Sequence, residues 1–130
     1  GVFSFYFNDI HFNLAVKLLN DKFGIQVRGG CACAGTYGHF LLDVSYDKSK
    51  HITDLINHGD LSQKPGWIRL SLNPKITDEE LFYIIDALKS LKKNHHEWSK
   101  QYIYNCRKNE FRHFSEPEDK SIFVKDWFKL

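Results

Sequence analysis

Midway through its first half the chain carries Gly29-Gly30-Cys31-Ala32-Cys33-Ala34-Gly35-Thr36-Tyr37-Gly38-His39. Four glycines within ten residues, separated by small side chains, predict a loop whose backbone turns tightly or approaches a neighbour closely. That loop separates two stretches of regular pattern. Before it, Val2–Phe7 is aromatic and partly alternating, which reads as a strand. Asn8 or Asp9 then offers a cap for a helix in which Phe12, Ala15, Val16, Leu19 and Phe23 share one face. Gly24 suits the left-handed residue after a helix end, and Ile25–Arg28 reads as a second short strand.

Beyond the loop, Phe40–Leu42 resumes apolar character, and Lys48–His58 predicts a helix with Ile52, Leu55 and Ile56 on one face. Lys64-Pro65-Gly66 is a turn. Trp67–Leu72 alternates Trp67, Arg69 and Ser71 against Ile68, Leu70 and Leu72, the pattern of a half-buried strand. Thr77 followed by Glu80 is a capping box. It opens a long helix from about Asp78 into the His95–Gln101 region, with an apolar stripe of Leu81, Ile84, Ile85, Leu88, Leu91, Trp98 and Tyr102. From Asn105 the sequence turns polar, and its end, Ile122–Val124 with Trp127-Phe128, is apolar again. The order predicts an α+β fold in which a small, mainly antiparallel sheet is covered by helices. Residues 1–105 form the expected domain, and 106–130 an extension docked upon it.

Composition excludes several classes. Hydrophobic residues at 42% and charged residues at 26% are incompatible with a disordered tail or a collagen-like chain. No apolar run approaches the roughly 20 residues that cross a bilayer, so no membrane partner is expected. A net charge of +2 gives no basic stripe of the kind that nucleic acid requires. The three cysteines are too few for a secreted disulfide framework, which points to a reducing, cytoplasmic compartment. Val2–Phe7 lacks a basic flank and so reads as a strand, not a leader. The chain has no Met and opens directly on this strand. That fits either removal of an initiator or excision from a longer protein.

Chemistry concentrates in and around the glycine loop. Cys33 follows Arg28 by five residues and precedes His39 by six. Nearby cations lower a thiol pKa and favour the nucleophilic thiolate, whereas a small buried cysteine beside a turn packs as an inert residue. Cys31, Cys33, His39 and Cys106 together offer four soft ligands, although Cys-x-Cys is tighter than the usual zinc spacing. Only four of the eighteen basic residues are arginines. Two of them, Arg28 and Arg69, fall on predicted strands, where a planar guanidinium can either grip a carboxylate with two bonds or close a structural ion pair. His95-His96 reads as part of the solvated face of the long helix.

Gly24–Gly35, taken with Pro65-Gly-Trp-Ile-Arg69-Leu-Ser-Leu-Asn73-Pro74 and Thr77-Asp-Glu-Glu80, resembles the C-terminal segment of class V aminotransferases, a family that includes cysteine desulfurases and selenocysteine lyases. The similarity covers roughly Val2 to Leu91. It implies the small domain of a fold-type I enzyme, commonly a homodimer, that uses pyridoxal 5′-phosphate held by a separate large domain. By the resemblance, Arg69 holds the carboxylate of the amino-acid substrate, Arg28 is an active-site arginine, and Cys33 corresponds to the sulfur-accepting cysteine of one desulfurase branch. That branch usually has a proline two residues after the cysteine, where this chain has Gly35. The implied function is amino-group transfer or desulfuration of cysteine or selenocysteine. The alternatives are a stand-alone module that binds a carboxylate ligand through the same arginines, and a Cys/His zinc domain.

Overall fold

The computed structural model describes residues 1–31 and 35–117. In chain order the elements are β1 (Val2–Phe5), α1 (Phe12–Phe23), β2 (Arg28–Gly30), α2 (Gly35–Leu41), α3 (Tyr46–Asn57), β3 (Trp67–Ser71), α4 (Asp78–Ser99), β4 (Tyr102–Asn105) and β5 (Glu110–His113). The fold is α+β, as the pattern predicts. β3 is the central strand of a three-stranded antiparallel sheet ordered β1-β3-β2, and β4 and β5 form a separate hairpin.

The alternation within β3 decides what each face of the sheet does. Ile68 and Leu70 are buried, and their cross-strand partners Gly29, Phe5 and Phe3 share their face. This face receives α1. A side chain at Gly29 would meet Val16 Cγ2 at 2.9 Å and Phe12 Cδ2 at 3.1 Å, so the helix approaches the sheet over a bare backbone. Phe12, Leu14, Ala15, Leu18 and Leu19 of α1 are buried in one core with Ile68, Ala87 and Leu91. Burying a Leu- or Phe-sized side chain contributes about 1.5–3 kcal/mol, so this seam between β3, α1 and α4 is the main source of cohesion.

The helix ends follow local chemistry. Thr77 Oγ1 accepts from the Glu80 amide while the Glu80 carboxylate accepts from the Thr77 amide, completing the expected capping box. Gly24 sits at φ 68°, in the left-handed region that ends α1. The cap of α1 is His11, not Asn8 or Asp9: its Nδ1 accepts from the Asn13 amide at 3.1 Å.

Two expectations are corrected. The glycine loop continues into α2, which begins at Gly35. The helix is permitted because Gly38 is buried against Cys31 and Trp67, where a Cβ would lie 3.1 Å from Cys31 Sγ and 3.3 Å from the indole. The absence of a side chain thus serves packing there, not a turn. Second, the polar stretch after Asn105 is a hairpin that straddles the boundary expected at 105/106. Its turn is made by Asn105, whose Oδ1 accepts from the amides of Arg107 and Lys108, and by Asn109 at φ 53°, a conformation that asparagine tolerates. Tyr104 and Phe111 of the hairpin pack around His11. The remainder of the expected extension, 118–130, lies outside the described residues.

Candidate functional site

The face of the sheet opposite α1 carries the arginines. Arg28 of β2 is paired directly with Arg69 of β3, and Arg69 is paired on its other side with Ser4 of β1. Directly opposed residues of an antiparallel pair project to the same face, with Cβ atoms about 4.5–5.5 Å apart. Arg28 and Ser4 are exposed and Arg69 is half-buried. Among the described residues, neither guanidinium has a salt-bridge or hydrogen-bond partner. The structural ion pair that the sequence left open for Arg69 is therefore not formed among these residues.

A small hollow of about 40 Å³ opens at the pair, lined by Arg28, Gly29, Gly30, Trp67 and Arg69. Gly30 has φ 115°, a conformation that side-chain-bearing residues rarely adopt, and it lies opposite Trp67 in the ladder. The Trp67 indole borders α2 at Gly38, so one end of the hollow has a wall. Trp67 was legible as an Arg69 neighbour only through the period-two alternation of β3; its contact with α2 had no sequence signal.

The donor set suits an anion. Two guanidiniums on one face offer planar, forked donors that match a carboxylate. The lining includes no lysine, so the hollow supplies no amine for a Schiff base, and its volume of about 40 Å³ is too small for a pyridine ring. These residues fit a substrate carboxylate and do not fit the cofactor itself.

The cysteines separate. Cys33 lies outside the described residues. Cys31 is buried and donates its thiol hydrogen to the Pro65 carbonyl at 2.6 Å. Burial pushes its pKa up, against a weaker downward pull from Lys64, which favours the thiol over the nucleophilic thiolate. His39 shares a 2.6 Å hydrogen bond with Ser49 Oγ of α3, and Cys106 is exposed. Among the described residues Cys31, His39 and Cys106 do not gather into a metal-binding group, and the zinc reading finds no support there.

His95 departs from its expected place on a solvated face. It is 5% exposed, on the side of α4 that also buries Ala87 and Leu91.

Compared with known proteins, the chain matches no family model, no curated protein and no solved structure.

Proposed function

We propose that this chain serves as the substrate-gripping small domain of a class V aminotransferase-like enzyme that acts on an amino acid through pyridoxal 5′-phosphate. The observation that carries the reading is the directly opposed Arg28–Arg69 pair on the sheet face away from α1, without a partner among the described residues. Two like charges so placed repel unless an anion lies between them, and a carboxylate is the anion whose geometry the guanidinium fork matches. The sequence resemblance supports the same assignment from the flanking motif.

In this reading Arg69 binds and orients the substrate carboxylate, and Arg28 adds charge and closes the near side. Pyridoxal phosphate, held by a separate large domain, supplies the electron sink. Tyr37, Phe40 and Leu41 on α2 are exposed, and a large domain closing over the hollow would cover them and exclude water. Cys33, within the glycine segment, is the proposed sulfur acceptor if the reaction is desulfuration. The enzyme would work in the cytoplasm as a homodimer.

The test is Arg69→Lys in the complete polypeptide supplied with the cofactor. Losing a forked, charge-assisted contact of about 1.5–3 kcal/mol should lower kcat/KM for the amino acid by roughly tenfold to a hundredfold. Unchanged kinetics would overturn the assignment, as would a complete reading frame that encodes no lysine-bearing cofactor domain. Calorimetry of the 130-residue chain with free amino acids separates the module reading: a self-sufficient binding module gives heat that vanishes in Arg69→Ala, whereas a domain completed by another part gives little.

A further inference from the structure

Asp9, in the connection between β1 and α1, meets His95 and His96 near the end of α4. One ligand atom from each of the three lies within 4.8 Å of the other two. The key member is His95. Its Nδ1 lies 2.9 Å from the Lys92 carbonyl of its own helix, a partner that only accepts. Nδ1 therefore donates to that carbonyl, which fixes the ring and leaves Nε2 as the nitrogen facing away from it. That Nε2 is buried and has no hydrogen-bond partner, and it points at Asp9 Oδ2 from 3.6 Å. At that separation the two atoms are too far apart for a hydrogen bond, and a buried polar atom left without a partner is costly.

A cation held between the two atoms removes that cost. With zinc–ligand bonds of about 2.0–2.2 Å, neighbouring ligand atoms in a tetrahedron stand roughly 3.3–3.5 Å apart, close to the observed Asp9–His95 separation. Metal-binding histidines commonly donate their other ring N–H to a backbone carbonyl, which holds the ring in orientation, as His95 does to Lys92. His96, exposed and with its ring centroid 4.0 Å from that of His95, supplies a third donor at the surface. Lys92 bonds Oδ1 of Asp9, at 2.5 Å, and not the oxygen that faces His95.

We propose that Asp9, His95 and His96 form a binding site for a borderline divalent metal ion of the zinc type, with one open coordination position. The site is independent of the arginine face. It would pin the β1–α1 connection to α4, across more than eighty residues of sequence. The nearby Lys92 ammonium opposes a dication, so the site is of moderate affinity and Lys92 sets it.

Cobalt(II) titration of the purified protein tests this, because the visible spectrum reports ligand type. The expected result is a d–d absorption band without a thiolate charge-transfer band, which sets it apart from binding at the cysteines. Competition with zinc should abolish the band. His96→Ala and Asp9→Asn, both at exposed positions, should each weaken cobalt binding about tenfold or more, and Lys92→Met should tighten it. His95→Gln removes the central ligand; because that residue is buried, its fold is checked by circular dichroism, and His96→Ala carries the test if it fails. No thiolate-free band, or a band unchanged in both His96→Ala and Asp9→Asn, would overturn the site.

Discussion

Arg28 faces Arg69 directly across the β2–β3 ladder, with no acidic partner for either among the described residues. Opposed like charges destabilise an antiparallel pair by about 0.2–1 kcal/mol, and threonine suits a strand position such as that of Arg28. The arrangement therefore costs stability.

The first prediction follows from that cost. Arg28→Thr should raise the free energy of unfolding by about 0.2–1 kcal/mol at low salt, and the gain should shrink as sodium chloride is added and the repulsion is screened. Denaturant titrations at two salt concentrations check it. A loss of stability at low salt would mean that Arg28 has a favourable partner.

Gly66 gives the second. A Cβ there would lie 2.6–2.8 Å from three atoms of the Phe12 ring, and Phe12 is itself buried in the core. Gly66→Ala should cost about 1–3 kcal/mol through overpacking. Trimming the ring in Phe12→Leu makes room, so the double variant should be less destabilised than the sum of the two single ones. A double-mutant cycle that is additive within about 0.5 kcal/mol would rule out this contact as the cause.

How far the sequence predicts these features depends on whether the physics is local. The capping box at Thr77, the left-handed Gly24 and the two faces of β3 depend on residues within a few positions of one another, and all three are readable. The β4–β5 hairpin is not, because its turn is built from asparagine side chains inside a charged run and its strands have little apolar alternation. The burial of His95 was missed for a related reason: it continues the Ala87–Leu91 line of α4, but two adjacent histidines look solvated until the Asp9 connection is seen to lie against them. In the candidate site, the placement of Arg69 on the face of β3 opposite Ile68 and Leu70 is readable from the alternation; its direct pairing with Arg28 is not, since pairing between strands about forty residues apart is set by the whole sheet.

The cysteines supply a third prediction. Cys31 is buried with its thiol donated to Pro65 and its pKa raised mainly by burial, whereas Cys106 is exposed. Brief alkylation of the native protein at neutral pH should modify Cys106 readily and leave Cys31 untouched until denaturant is added. Peptide mass spectrometry resolves the two sites. Fast labelling of Cys31 in the native state would contradict its place beneath Gly38.

His11 provides a pH dependence with a defined sign. Its ring stacks on Phe12 at 4.6 Å and touches Tyr104 and Phe111, and burial lowers its pKa from 6.5. Nδ1 must stay unprotonated to accept from the Asn13 amide and cap α1. The unfolded chain binds the proton first, so the contribution of His11 is complete above about pH 6.5 and is lost as pH falls below that toward the lower folded pKa. His11→Asn keeps a capping oxygen and removes the titrating ring. It should be less stable than the wild type at pH 8, where the aromatic packing is lost, and the difference should narrow steadily between pH 7 and pH 5. Parallel denaturation curves across that range measure the difference directly, and the other histidines cancel in the comparison. A gap that stays constant with pH would show that His11 titrates alike in the folded and unfolded chains.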